Sequence, residues 1–173
     1  MAGRTADEAR TTFIALTQRA LSCLSDAVVY YRAAPVGQAE ILIVSEDPLR
    51  LPRDTGGGLQ LTLDQQYTLV NEEGTRKAWK VSTRGYRYQL SDDAGREIAA
   101  WHWHPQGRSR ERRPHLHVAD GPLAGLHLPS GPIGVESIFR LLLAELNVRS
   151  RRTDWEQVLT EVDETFRAWR AEA

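Results

Sequence analysis

The chain has 173 residues, of which 41% are hydrophobic and 26% are charged, and its formal net charge is −1. These values predict a single globular domain with a hydrophobic core, and they exclude a polycationic protein. The single cysteine, Cys23, excludes an internal disulfide framework and a cysteine-rich zinc site. No apolar run approaches the roughly 18 residues of a membrane span, so the sequence predicts a cytoplasmic protein that does not enter a membrane.

The first third of the chain predicts a helix, a strand and a loop. Residues from about Asp7 to Tyr31 carry apolar side chains at helical spacing without a glycine or proline, which is typical of an amphipathic helix. Ile41 to Val44 are expected to form a short buried strand. Residues 46–58 contain two prolines and three consecutive glycines, so they predict a flexible loop.

An antiparallel meander is predicted from Leu59 onward, because apolar residues alternate there. Residues 71–74 are expected to form a hairpin turn, and the alternation changes phase at Gly85, which indicates a bulge. Amphipathic helices are predicted from Glu136 to Asn147 and from about Thr153 to the end. The predicted fold class is α+β: an N-terminal helix within residues 1–35, a curved antiparallel β-meander over 38–120, and two C-terminal helices within 134–173, packed on one face.

All five histidines lie between residues 102 and 127. His102/His104 and His115/His117 are two H-x-H pairs, and alternate residues of a strand point to the same face. With residues 105–114 as the connecting loop, His104 is expected opposite His115 and His102 opposite His117. This register predicts four imidazoles on one face of the sheet. The opposite face is expected to carry four apolar side chains, those of Trp101, Trp103, Leu116 and Val118.

Residues 76–113 form a basic block with ten Arg or Lys against four acids, while the remainder of the chain is net acidic. A basic block beside a histidine face favours an anionic ligand, with phosphate as the first class to consider. The alternative is a solvated charged surface without a ligand. The candidate substrate-binding residues are Arg108, Arg110, Arg112, Arg113 and, in the glycine- and proline-rich loop that follows, His127.

Two kinds of chemistry fit facing H-x-H pairs. One histidine can take a proton from an attacking hydroxyl while another gives one to the leaving oxygen, as in cleavage of RNA without a cofactor. Alternatively, three or four imidazoles can bind a divalent transition metal such as Zn, in a non-catalytic protein whose helices dock a partner. The nearest acid past the strand end is Asp120, and no carboxylate is expected on the histidine face itself. Both hypotheses therefore stay open.

Residues 59–143 resemble the TumE-type toxin components of bacteria. The resemblance is carried by YRYQLSDDAG at residues 86–95, WHWHP at 101–105, RPHLHV at 113–118 and the helix after Gly134. It implies a growth-inhibiting nuclease that acts on RNA and is paired with an antitoxin protein. A separate bacterial family with the same strand motif and its own D-W-x-x-V-L helix is the alternative description of the whole chain.

Overall fold

Three helices and an eight-stranded antiparallel sheet make up the residues described by this computed structural model, which are 3–71, 78–106 and 111–171. The helices are α1 (Ala6–Leu21), α2 (Val135–Ala144) and α3 (Trp155–Ala171). The strands are β1 (Tyr30–Arg32), β2 (Glu40–Ile43), β3 (Leu49–Pro52), β4 (Gly58–Asn71), β5 (Trp79–Asp92), β6 (Glu97–Trp103), β7 (His115–Val118) and β8 (Leu128–Pro129). The strand order is β1-β2-β4-β5-β6-β7-β8, and β3 pairs with β4. The predicted α+β class is confirmed, and the sheet extends beyond residues 38–120 because β1 and β8 belong to it.

The N-terminal helix is shorter than the sequence predicts. It begins after Thr5, whose Oγ1 accepts a hydrogen bond from the Glu8 amide, and it ends at Leu21 instead of Tyr31. The Gln18 side chain binds the chain where it turns back, since it donates to Ala27 O and accepts from Val29 N. The two aromatic residues Tyr30 and Tyr31 then lie in β1, in keeping with the strand propensity of aromatic side chains.

The predicted loop at residues 46–58 is wrong in part, because β3 lies within it and pairs with β4 from Leu49↔Leu61 to Pro52↔Gly58. Leu49 and Leu51 are buried and alternate with two exposed residues. This period-two pattern is enough for a strand once a partner is present.

The bulge predicted at Gly85 is confirmed. Gln66 pairs with Gly85 and Tyr67 with Thr83, so Arg84 is the extra residue on β5. A side-chain carbon at Gly85 would lie 2.6 Å from the Trp103 carbonyl oxygen, so β6 approaches closely here because residue 85 has no side chain. The hairpin turn predicted at 71–74 lies outside the described residues beyond Asn71.

The hydrophobic core lies between one face of the sheet and the helices. Helix α1 packs on β4 and β5, while α2 and α3 pack on α1 and on each other. Tyr67, Tyr88 and Phe139 are the largest side chains that are fully buried there. In the described part of the chain, no helix is both long and apolar enough to cross a bilayer. The helices cover one face of β4 and β5, and the histidines project from the other face of the sheet.

Candidate functional site

The two strands with H-x-H pairs are neighbours, in a register that differs from the prediction. His102 lies opposite His115 and Ala100 opposite His117, so the expected pairing of His104 with His115 and His102 with His117 is wrong by two residues. Strand β6 ends at Trp103, which leaves His104 in the connection to β7. A shift of two residues preserves the face to which each side chain points. The four imidazoles therefore share one face, as predicted, and Trp101, Trp103 and Leu116 pack into the core on the other.

The fifth histidine joins the same cluster through β8. Leu116 pairs with Leu128 and His115 with Pro129, so the next position of this register places His127 beside His117. Their ring centroids are 4.5 Å apart. The sequence left the direction of this loop residue undefined, and the structure brings it to the histidine face.

His115 is the centre of the cluster. Its ring centroid lies 5.7 Å from that of His102, 5.2 Å from His104, 5.0 Å from His117 and 4.9 Å from His127. The His115 side chain has no solvent exposure, while His127 is exposed. One buried imidazole is thus surrounded by four others. We call these five residues the histidine cluster.

The orientation of the His115 ring is fixed by a backbone contact. Its Nδ1 lies 2.8 Å from the carbonyl oxygen of Arg113, and because a carbonyl only accepts, Nδ1 carries the proton and donates it. The neutral form of an imidazole with its proton on Nδ1 has a lone pair on Nε2. Nε2 is buried and has no hydrogen-bond partner among the described residues, and the same is true of Nδ1 of His104. A buried acceptor without a partner is costly, which points to a ligand at this atom.

Three of the rings are close enough to share one metal ion. One ring nitrogen from each of His102, His115 and His117 lies within 4.8 Å of the other two. Tetrahedral zinc with Zn–N bonds of about 2.0–2.1 Å needs its nitrogen ligands about 3.3 Å apart. Small rotations of the side chains would close this difference.

The environment keeps two of these rings neutral. The pKa of His102 is lowered to about 4, chiefly by burial and also by the neighbouring His117, His115, His104 and Arg87. Burial, together with His127 and His115, also lowers the pKa of His117, against the opposing effect of Glu97. Neutral imidazole is the form that binds metals.

An arginine and an aspartate extend the histidine face across the sheet. Arg87 on β5 lies directly opposite His102, and Asp64 on β4 lies directly opposite Arg87. Arg87 Nε donates to Asp64 Oδ2 at 2.9 Å. Neither residue is among the candidates predicted from the sequence, although Arg87 lies between Tyr86 and Tyr88, which are buried, and so points to the opposite face.

The arginines predicted to bind substrate are only partly described. Arg108 and Arg110 lie outside the described residues. Arg113 forms a bidentate ion pair with Glu111, through Nε at 3.0 Å and Nη2 at 2.9 Å, and Arg112 is exposed. The described contacts of the Arg113 guanidinium therefore lead to Glu111, and only the backbone carbonyl of Arg113 contacts a histidine side chain.

The cluster can present three imidazole nitrogens, from His102, His115 and His117, to one metal ion. Beside them lies the Arg87 guanidinium, which is held in place by the Asp64 carboxylate. No family model, curated protein or solved structure matches this chain.

Proposed function

We propose that this protein binds one divalent transition metal ion, with Zn²⁺ as the first choice, through His102, His115 and His117. The observation that carries the proposal is the His115 ring, which is fully buried, fixed by the Arg113 carbonyl and left with a lone pair at Nε2. A backbone carbonyl on the second ring nitrogen is a frequent companion of a metal-ligating histidine, since it selects the tautomer and orients the ring.

The chemistry of the donor set supports zinc. Imidazole nitrogens suit Zn²⁺, and a site with three protein ligands leaves a fourth position for water or a substrate. A zinc ion held in this way supplies Lewis acidity and lowers the pKa of a water ligand to about 7. His104 lies beside His115 and His127 beside His117, and neither belongs to the proposed ligand set.

The low histidine pKa values favour this function over cleavage of RNA without a metal. Acid–base catalysis needs one imidazolium as the proton donor near neutral pH, whereas the lowered pKa values of His102 and His117 keep these rings deprotonated there. The same neutrality favours metal binding. Metal-independent RNA cleavage, with an antitoxin partner, remains the second hypothesis from the sequence.

Elemental analysis of protein purified without a histidine tag tests the metal site. We expect one Zn²⁺ per chain in the wild type, and loss of that ion in His102→Ala, His115→Phe and His117→Ala. His104→Ala and His127→Ala are the matched controls, because they remove flanking rings of the same cluster and should retain a bound ion. Absence of stoichiometric metal in the wild type, or equal loss in all five variants, would contradict the proposed ligand set.

A fluorogenic RNA separates the two hypotheses. Metal-free acid–base catalysis predicts that the wild type cuts this RNA in the presence of EDTA, and that His102→Ala and His117→Ala do not. The metal proposal predicts no cleavage in EDTA. RNA cleavage that survives EDTA and disappears in both variants would restore the hypothesis drawn from the sequence.

A further inference from the structure

The row of residues that crosses the sheet through the metal site continues from His102 to a cation. Directly opposed residues of antiparallel strands have Cβ atoms about 4.5–5.5 Å apart, and Arg87 is the residue opposed to His102. Arg87 therefore stands on the side of the metal site away from β7. Its side chain is 55% exposed, so it can reach a ligand that enters from solvent.

Asp64 holds the Arg87 guanidinium without using all of its donors. The contact with Asp64 Oδ2 uses Nε, and among the described residues no other hydrogen-bond partner of Arg87 is recorded. An arginine carries five N–H donors, so the two Nη groups remain for a ligand. A fork of this kind matches the oxygens of a phosphate, which it binds with two parallel hydrogen bonds.

The charge of the assembled site also favours an oxyanion. Neutral histidines leave the charge of a divalent ion uncompensated, and the charges of Arg87 and Asp64 cancel each other. A ligand that touches both the ion and Arg87 thus meets a net positive site. The neighbouring cation of the β6–β7 connection, Arg113, is already paired with Glu111.

We propose that Arg87 binds a phosphate oxyanion, one oxygen of which occupies the fourth coordination position of the metal. This inference rests on the proposed metal site and names the substrate class of that site. Asp64 is a positioning residue, because it acts on the ligand through Arg87. The phosphate clamp then lies on β5 and not on the loop that the sequence suggested.

Calorimetric titration of the zinc-loaded full chain with inorganic phosphate tests the proposal, after excess Zn²⁺ has been removed by desalting. We expect Arg87→Gln to weaken phosphate binding about 10- to 100-fold, which corresponds to the loss of a hydrogen-bonded charged group, with the zinc content unchanged. Asp64→Asn should bind phosphate at least as tightly as the wild type, since the amide oxygen can still accept from Arg87 Nε and hold the cation in position, while the repelling negative charge is removed. Equal weakening in the two variants would show that Arg87 acts only through its ion pair, and would overturn the proposal.

Two further arginines serve as matched controls. Arg96 pairs with Asp92 in the β5–β6 hairpin, away from the histidines, so Arg96→Gln should leave phosphate affinity within about twofold of the wild type. Arg112→Gln tests the loop clamp that the sequence suggested, and a loss confined to this variant would overturn the role of Arg87. Titration with acetate, which has a single charge and two oxygens, should give weaker binding than phosphate, and tighter binding of acetate would overturn the phosphate assignment.

The zinc content of the wild type distinguishes the failure of this proposal from that of the proposed function. Zinc-loaded wild type that binds no phosphate overturns the role of Arg87 and leaves the metal site standing. A wild type that holds no zinc overturns both.

Discussion

His115 and Arg113 are linked across 2.8 Å by a hydrogen bond from the imidazole Nδ1 to the backbone carbonyl two residues earlier. Because the donor and acceptor are only two residues apart, the backbone conformation at the start of β7 determines the orientation of the ring. Because the ring is also fully buried and Nε2 has no hydrogen-bond partner among the described residues, this atom carries a cost in folding free energy. A metal ion would convert this cost into a favourable contact.

We therefore expect Zn²⁺ to raise the free energy of unfolding of the wild type. Binding to the native state alone adds about 2.7 kcal/mol when free metal is 100 times its dissociation constant. His115→Phe keeps an aromatic ring of similar size but has no lone pair, so Zn²⁺ should add nothing to its stability. Urea denaturation with Zn²⁺ and with EDTA measures both values, and an equal gain in the variant would contradict the role of His115.

The Arg10–Glu40 ion pair predicts how stability depends on pH. The Glu40 side chain is 1% exposed and accepts hydrogen bonds from Arg10 Nε at 2.8 Å and Nη2 at 2.6 Å, which ties α1 to β2. Burial opposes ionisation of Glu40, but Arg10 overcomes this effect and lowers the pKa of the carboxyl below its usual value. A pKa lowered by folding stabilises the native state above the unfolded value of about 4.3, and this stabilisation is lost as the pH falls through the folded pKa.

Glu40→Gln should cost about 3–5 kcal/mol near pH 7, because it leaves the Arg10 charge without its buried partner. The stability of this variant should also fall less steeply than that of the wild type below about pH 4.5. Urea denaturation over this pH range provides the measurement. Asp54→Asn is the control, since Asp54 pairs with Arg149 on the surface and its loss should cost less than about 1 kcal/mol. Parallel acid profiles for wild type and Glu40→Gln would rule out this explanation.

The face of each histidine could be predicted from the sequence, whereas the register could not. Side chains two residues apart in a strand point to the same face, and this rule alone placed the four H-x-H imidazoles on one face. The register depends on where β6 ends, and the connection to β7 includes His104, which simple counting assigned to the strand. The neighbouring strand pair shows the same limit, because the register of β5 and β6 shifts between Leu90 and Ser91. Such a shift decides whether Arg87 or another residue lies opposite His102.

The end of α1 shows a second limit of the sequence. Helical periodicity continues past Leu21, but the Gln18 side chain satisfies the backbone at Ala27 and Val29 after the chain has turned back. The helix ends because of this tertiary contact, which the spacing of apolar residues in the sequence does not predict.

Gly85→Ala should disturb both stability and the metal site. The added carbon would meet the Trp103 carbonyl oxygen at 2.6 Å, and backbone atoms can yield only if β6 moves. Overpacking of this kind costs about 1–3 kcal/mol, and displacement of Trp103 shifts the adjacent His102. We expect a lower free energy of unfolding together with weaker Zn²⁺ binding.

Gly95→Ala distinguishes a general loss of stability from displacement of the metal-binding histidines. Gly95 has φ of 79° and nothing within 4 Å of an added carbon, so this variant should lose about 1–2 kcal/mol from backbone strain alone and keep the zinc affinity of the wild type. Equal zinc affinity in the two glycine variants would show that the contact with Trp103 does not position the histidines.

The reactivity of Cys23 reports whether zinc binding stabilises the whole fold. It is the only cysteine of the chain, its side chain is fully buried, and burial raises the pKa of its thiol. The connection between α2 and α3 contacts the Cys23 backbone, since Arg151 N and Ser150 Oγ donate to its carbonyl oxygen. The native thiol should thus be inert, and alkylation by iodoacetamide should follow the population of unfolded chains.

Free Zn²⁺ at 100 times its dissociation constant should slow alkylation of the wild type about 100-fold and leave the alkylation rate of His115→Phe unaffected, as measured by mass spectrometry. Cys23 follows α1 and lies on the helix side of the sheet, away from the histidines. If Zn²⁺ does not change the alkylation rate of the wild type, Cys23 becomes exposed by local opening in which the metal stays bound.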